Sequence, residues 1–258
     1  MRKRQWLLLC SVLLLAVRAV AEPRLEEILH EVVARDDEAK QLLLRLEYCQ
    51  EIRTDQLDSL GNTKKTDEIR MMVKPGEGLL LVPNSSAGTV SVQKLSSQQL
   101  REARAAQQVS DVLAMRNLLP RYAIHLEGEG VWNGQRVYLL GFEPKPDAPC
   151  RSRADRVINA LKGKLWVRKK DCSILHVEAN LTHPVPIAWI FASVDQLDIW
   201  YEGANASSEL GVLPVSGWVE YRVGTWFGGT HARQQVAMRN YRRGDLTAGS
   251  DFEGLPLR

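Results

Sequence analysis

Cysteine and histidine are the residues of this 258-residue chain whose chemistry could be catalytic or metal-binding. A cysteine beside a histidine can act as a nucleophile, and both residue types can bind zinc. Cys49, Cys150 and Cys172 form no C-x-x-C pair, and the five histidines are scattered singly. This spacing argues against a structural zinc site. A Cys/His pair brought together only by the fold remains the one catalytic alternative.

The familiar catalytic and nucleotide-binding motifs are absent from the sequence. It contains no G-x-S-x-G elbow, no H-E-x-x-H, no phosphate-binding loop and no dinucleotide fingerprint. The paired glycines at 128–134 lie between predicted strands and open no helix, so they lack the helix amino terminus that binds phosphate. We therefore predict a protein that is not an enzyme and that uses neither a cofactor nor a metal.

The amino terminus has the pattern of a secretory signal. Basic residues at 2–4 precede an apolar run at 6–17, and small residues follow at 19–21. The run is shorter than the roughly 18 to 20 residues that span a bilayer, and Arg18 interrupts it. We predict cleavage after Ala21 and one mature domain at 22–258.

Removal of the signal changes the charge of the chain. The four basic residues of segment 1–21 leave 30 basic against 31 acidic residues, a net charge near −1. Nucleic-acid binding needs clustered positive charge, so nucleic acid is excluded as an expected partner. Cys49, Cys150 and Cys172 permit one disulfide in an oxidising compartment, with the pairing left open.

Two segments have the apolar spacing of amphipathic helices. The first begins near Leu25 and carries apolar residues every three or four positions, with a predicted restart at Asp36-Asp37. The second, at 95–120, opens with Ser96 and Gln99, which form a capping box. Its apolar stripe consists mostly of small side chains: Leu100, Ala103, Ala106, Val109, Val112 and Leu113.

The rest of the chain is predicted to be about ten mostly antiparallel strands. Asn133-Gly134 is the strongest hairpin signal. Val219, Tyr221 and Val223 alternate with charged residues, and around His176 apolar and polar residues alternate in the same way. One face of the sheet is thus predicted to be dry and the other wet, which indicates an α+β fold with a single curved sheet.

Three segments resemble a known family. They are LLGFEP at 139–144, LKGKLWV at 161–167 followed by ILHVE at 174–178, and MRNYR at 238–242. They resemble the periplasmic lipoprotein carriers of the LolA/LolB/RseB type. The resemblance implies a half-open antiparallel β-barrel with helices as a lid over an apolar cavity. It also implies a periplasmic protein that binds acyl chains of lipoproteins or lipids. The basic run at 168–170 departs from the family pattern, which usually has an acidic residue in that turn.

The small side chains at 100–113 bear on this cavity. A helix of small residues over a curved sheet leaves space beneath it, and empty apolar volume costs about 24 cal/mol per Å³. An acyl chain would recover that loss, since each buried CH₂ contributes about 0.8 kcal/mol. The alternative is an alanine-rich helix packed closely on a flat sheet. The cavity and lid are expected to be lined by Leu100, Ala103, Val109, Val112, Leu113, Leu139, Leu165, Val167, Leu175, Val177, Trp189, Phe191, Val219, Tyr221 and Val223.

Two further segments have two interpretations each. The proline-containing stretch 183–191 is either a flexible rim that admits lipid or a loop that plugs one end of the barrel. Tryptophans on the polar face of the sheet, such as Trp200 and Trp218, are either exposed or covered by the connection at 143–161.

The alternative function is an envelope-stress regulatory module of the same fold, which would act through an inner-membrane or outer-membrane protein partner.

Overall fold

The computed structural model describes residues 24–75, 78–81, 93–94, 114–188 and 191–244. Within these ranges an antiparallel sheet dominates and the helices are few, so the predicted α+β class is confirmed. The helices are α1 (Leu25–Leu43), α2 (Met115–Leu118) and α3 (Arg153–Ile158), with a 3-10 turn at Leu119–Arg121. The strands are β1 (Leu46–Leu57), β2 (Thr63–Lys74), β3 (Gly78–Leu81), β4 (Gln93–Lys94), β5 (Tyr122–Trp132), β6 (Gln135–Pro144), β7 (Leu161–Arg168), β8 (Ile174–Leu181), β9 (Val185–Ala188), β10 (Ala192–Ser207), β11 (Gly211–Thr225) and β12 (Gly228–Arg243).

The described strands form one open sheet of twelve, two more than predicted. Its order is β4-β3-β2-β1-β12-β11-β10-β8-β7-β6-β5, and β9 pairs with β10 beside this path. Every pairing is antiparallel, and β1 pairs with β12 in the middle of the sheet. The outer strands β4 and β5 do not pair with each other, so the sheet is not closed into a barrel.

Turn chemistry explains the hairpin between β5 and β6. Asn133 and Gly134 both have positive φ, 46° and 77°, as a two-residue turn with this strand twist requires. The hairpin predicted at Asn133-Gly134 is therefore confirmed.

Helix α1 is continuous over 19 residues, so the predicted restart at Asp36-Asp37 is wrong. Aspartate interrupts helices when its side chain competes for nearby backbone groups. Here the Asp36 carboxylate instead accepts hydrogen bonds from Lys40 Nζ (2.8 Å) and from the backbone N–H of Met115 (2.9 Å). The helix continues because both partners satisfy the carboxylate without breaking the helical backbone.

One face of the sheet, here called the helix side, packs against α1. Ile28 and Val32 of α1 are buried with Leu140, Leu165 and Val167 of β6 and β7. Each such side chain contributes about 1.5–3 kcal/mol on burial. The same cluster also contains Tyr122, Tyr138, Phe142, Ile158 and Ala179.

The connection at 143–161 also lies on the helix side. Its helical turn, predicted near 154–161, is α3, and Ile158 is part of the core cluster. Backbone N–H groups of Arg151 and Ser152 donate to the Asp155 carboxylate, each at 2.8 Å, and Arg121 donates to it at 2.7 Å. These contacts, led by the Arg151 hydrogen bond, lower the pKa of Asp155. The connection therefore does not cover the tryptophans of the opposite face.

Several sequence predictions lie outside the described residues. They include the signal at 1–21 and most of the second helix, of which only the end at 114–120 is described. Over the described ranges, no helix is both long enough and apolar enough to cross a membrane.

Candidate functional site

The helix side is divided into a closed half and an open half. Over β5–β8 it is closed, because α1 and α3 bury its apolar side chains in the core cluster. Helix α1 then continues toward β11 and β1, and Tyr201 of β10 is close enough to Asp36 for the carboxylate to raise the pKa of the phenol. Beyond this point the sheet carries apolar side chains that are not fully covered.

The register of the strands identifies these side chains. Directly opposite residues in an antiparallel pair point to the same face. Two apolar residues of this set, Ala232 opposite Tyr221 and Val194 opposite Val223, are buried. The others are only half-buried, and Ile69 is exposed. We call these residues the open half: Ile52, Ile69, Leu197, Ile199, Val219, Tyr221, Val223 and Val236.

Polar groups flank the open half on β1 and β12. Gln234 lies opposite Val219 and also opposite Thr54, so these two polar residues share the helix side with the apolar row. Gln234 is exposed and Thr54 is half-buried. The open half therefore offers an apolar surface with a hydroxyl and an amide beside it, which suits a ligand with an apolar chain and a polar group.

Three tyrosines stand at the border of the open half. Tyr48 and Tyr241 have ring centroids 5.2 Å apart, and Tyr241 donates a hydrogen bond to the Pro214 carbonyl at 2.5 Å. Burial is the main cause that raises the pKa of Tyr48, Tyr201 and Tyr241. These phenols therefore stay neutral at physiological pH and add no charge to the surface.

The described end of the predicted lid helix is fixed to α1. The backbone N–H of Met115 donates to Asp36 as described above, and Arg116 forms an ion pair with Asp37 at 2.7 Å. Met115 and Leu118 pack against the core cluster. Sequence reasoning did not assign these contacts to Asp36 and Asp37, although two acids in the middle of an amphipathic helix were a visible signal.

The thiols lack the surroundings of a catalytic nucleophile. All three described cysteines are free, so no disulfide forms among them. Burial, followed by neighbouring carboxylates, raises the pKa of Cys49 and Cys172, whereas catalysis needs a lowered thiol pKa. Among the described residues no three histidine, cysteine or acidic side chains come together in a group that could hold a metal.

The structure distributes the predicted cavity residues over four places. Val219, Tyr221 and Val223 belong to the open half. Leu165 and Val167 are filled core under α1, with Val177 packed beside them. Leu139 lies opposite Trp166 on the other face, and Leu175 is buried outside the core cluster, next to a β-bulge. Phe191 is exposed in the turn before β10. The remaining predicted residues lie outside the described ranges: Leu100, Ala103, Val109, Val112, Leu113 and Trp189.

The opposite face carries a row of aromatic side chains. Trp132 stacks on His176 with centroids 4.2 Å apart and planes at 8°, and Trp166 and Trp200 pack around the same imidazole at 4.5 and 5.2 Å. His176 is fully buried, although strand alternation placed it on the wet face. Its ring nitrogens face the Tyr201 carbonyl (2.7 Å) and the Glu178 carboxylate (3.0 Å).

A groove of about 350 Å³ continues from this row across β11, β12, β1 and β2. Trp200 and Trp218, which pair directly, form part of its wall. Its charged residues are mutually paired: Glu51 binds both Arg70 and Arg239 at 2.8 Å. The groove thus combines tryptophan side chains with paired charged residues, and its lining has three arginines and two glutamates.

Comparison with known proteins finds no family model and no curated protein that matches the chain. Similar solved structures include a LolA superfamily protein from Nitrosomonas europaea, at 14% identity and TM-score 0.36, over 87% of this chain and 96% of that one. A DUF1329 family protein from Desulfovibrio piger has 13% identity and TM-score 0.35, over 86% and 95%. A Vibrio parahaemolyticus domain named for outer membrane lipoprotein sorting has 11% identity and TM-score 0.34, over 85% and 95%. The superfamily that the sequence resembles is thus among the similar structures, and at these TM-scores the likeness assigns no function.

Proposed function

We propose that this protein is a periplasmic binding protein or carrier for hydrophobic ligands, and that it holds acyl chains of lipids or lipoproteins on the open half. One observation carries the proposal. The helix side is mostly apolar, and the core cluster under α1 and α3 covers the part over β5–β8 and reaches Ile199 of β10. Val219, Tyr221 and Val223 of β11 lie outside this cluster. Contiguous apolar surface that a fold leaves uncovered is typical of a binding site.

The chemistry of the open half fits such a ligand. An acyl chain laid along Val219, Tyr221 and Val223 would gain about 0.8 kcal/mol for each CH₂ removed from water. Thr54 and Gln234 offer hydrogen bonds to an ester or carboxyl group. Burial raises the pKa of the Cys49 and Cys172 thiols, which disfavours their nucleophilic thiolate form, and we propose binding without chemical conversion.

We propose that the segment 96–113 serves as the lid. Its small apolar residues would lie over the open half without filling it. The ion pair between Arg116 and Asp37 and the hydrogen bond from Met115 to Asp36 would hold the carboxyl-terminal end of this lid on α1.

The open half is tested by titration with a fluorescent fatty acid. Val219→Gln places an amide on this surface and should weaken binding about tenfold, because an amide cannot replace the apolar contact of the valine. Ser216→Gln is the matched control, since Ser216 lies on the same strand and points to the opposite face. Its affinity should equal that of the unmodified protein.

Two results would contradict this function. The first is an unmodified protein that takes up no fatty acid and carries no lipid after native purification and mass spectrometry. The second is equal binding by Val219→Gln and Ser216→Gln.

A regulatory module that binds another protein is the second candidate. The half-buried Trp200 and Trp218 beside the paired charges of the groove favour it, because aromatic residues are enriched in protein interfaces. Crosslinking to a membrane protein with a cytoplasmic domain, reduced by Trp218→Ser and unaffected by Val219→Gln, would support this role over transport.

A further inference from the structure

Large apolar side chains are exposed in three turns of the molecule. Leu60 is 85% exposed in the turn between β1 and β2, and Trp226 and Phe227 are 68% and 95% exposed between β11 and β12. Phe191, just before β10, is 54% exposed. We call these four residues the aromatic tip. Single exposed apolar residues are ordinary, but four large ones in neighbouring turns are not.

These turns lie at the same end of the sheet. The backbone N–H of Trp226 donates to the Phe191 carbonyl at 3.2 Å, which joins two of them. His231 at the start of β12 is 3.1 Å from the Asp58 carbonyl, which joins the turn that carries Leu60. The Asn133-Gly134 hairpin lies at the opposite end, where Asn133 donates to Glu202.

The turn between β11 and β12 has two large apolar residues at its centre. Thr225 pairs with Gly228, so Trp226 and Phe227 are the two central residues of a tight hairpin. The positive φ of this turn, 134°, is at Gly228, so neither central position requires glycine or asparagine. The side chains of Trp226 and Phe227 are both exposed to solvent, so they contribute little packing energy to the fold.

The surroundings of the aromatic tip fit a lipid surface. Tryptophan and phenylalanine partition to the boundary between headgroups and acyl chains, and the segment 225–230 has no charged side chain. Exposed Lys64 and Arg222 lie just behind the tip and match the phosphates of headgroups, whereas Lys65 forms an ion pair with Asp67 at 2.8 Å. The acidic neighbours Asp58 and Asp195 accept hydrogen bonds within their own segments, from Leu60 N–H and from Ser193 Oγ.

We propose that the aromatic tip docks this protein on the surface of a lipid bilayer, with Trp226 and Phe227 inserted at the boundary between headgroups and acyl chains. This proposal goes beyond ligand binding and does not depend on it. The two fit together, because Val223 of the open half is only two residues from Thr225 in β11. An acyl chain could therefore pass between the bilayer and the open half with little exposure to water.

Vesicle co-sedimentation tests the proposal. The purified protein should bind vesicles of phosphatidylethanolamine and phosphatidylglycerol. The double variant Trp226→Asn, Phe227→Gly should have a partition coefficient at least about tenfold lower, because two large apolar side chains are lost. Both side chains are exposed, so the thermal unfolding temperature of the double variant should stay close to that of the unmodified protein.

Val131→Asn is the control, since Val131 is 69% exposed near the hairpin at the opposite end. It should bind vesicles like the unmodified protein. In addition, brominated lipids should quench tryptophan emission less in Trp226→Phe than in the unmodified protein.

Three outcomes would overturn the proposal: an unmodified protein that binds no vesicles, equal vesicle binding by the double variant, or a dimer that the double variant loses while vesicle binding persists. The last would make the tip an interface between two copies. Fatty-acid titration of the double variant separates the two functions, because its affinity should be unchanged if only docking is lost.

Discussion

Replacing Arg168 with alanine is expected to lower the free energy of unfolding by about 3–5 kcal/mol. The Arg168 side chain is buried and holds three parts of the sheet together. Its guanidinium donates two hydrogen bonds to Asp171, at 2.7 and 2.5 Å, and single bonds to Gln135 at 3.0 Å and Asn205 at 2.8 Å. Alanine removes all four and leaves the Asp171 carboxylate without its cation.

Urea denaturation measures this loss. Lys170→Ala is the matched control, because Lys170 is a neighbouring basic residue with an exposed side chain, and its effect should stay within about 0.5 kcal/mol. Equal unfolding midpoints for the two variants would contradict the role given to Arg168.

The pH dependence of Asp171→Asn provides a separate check. Burial alone would raise the pKa of Asp171, but hydrogen bonds from Arg168 and Ser173 outweigh it, so the pKa is lowered. A carboxyl group with a lowered pKa stabilises the fold above its unfolded pKa, about 3.9, and loses that contribution as the pH falls through the folded value. The penalty of Asp171→Asn should therefore be full at neutral pH and shrink below about pH 4. A penalty independent of pH would rule out a role for the charge.

Gly163→Ala is expected to destabilise the protein by about 3 kcal/mol. A Cβ atom at this position of β7 would lie 2.0 Å from the Glu178 carbonyl oxygen and 2.8 Å from the Ala179 Cα, both backbone atoms of β8. It would also lie 2.7 Å from the Phe142 ring. A backbone cannot rotate away as a side chain can, so the two strands would have to separate.

Gly130→Ala is the control for this substitution. Its added Cβ would meet only Val137, at an ordinary contact distance of 3.9 Å. Thermal unfolding monitored by circular dichroism compares the two variants. Equal unfolding temperatures for the two variants would contradict the prediction, because they would mean that the space between β7 and β8 accommodates a Cβ atom.

Local patterns in the sequence predicted most of the strands. Alternation placed Val219, Tyr221 and Val223 on one face because the side-chain period of a strand is a local property. The sequence could not show that α1 continues through Asp36, because the partner that satisfies this carboxylate includes Met115, 79 residues away.

The division between core and binding surface was not predictable in the same way. Leu165 and Val219 have similar sequence surroundings, but only Leu165 lies under α1, and the place where a helix packs is set by contacts distant in sequence. Leu139 was wrongly assigned to the cavity. Because β6 is buried on both faces, its sequence does not alternate between apolar and polar residues, and nothing local shows which face of the sheet Leu139 occupies.

The aromatic row and the aromatic tip show two different reasons for a missed feature. His176 was expected on a wet face, and the tryptophans that bury it come from other strands, so alternation within β8 could not reveal them. The turn at Trp226-Phe227 was visible in the sequence. The glycines that mark it, Gly228 and Gly229, follow the two central residues, so the sequence signal lies one step beyond the turn itself.

The pairing of β1 with β12 in the middle of the sheet constrains the order in which the molecule can form. Residues about 195 positions apart, such as Glu47 and Arg242, meet across this pair. The β5–β6 and β7–β8 hairpins close through short loops. The pair of β1 with β12 can form only after the last strand is available, and its formation bears a large loop-closure entropy. The open half spans this pair, so the β10–β11 hairpin can present Val219, Tyr221 and Val223 early, whereas Ile52 and Ile69 join them only when β1 has paired with β12.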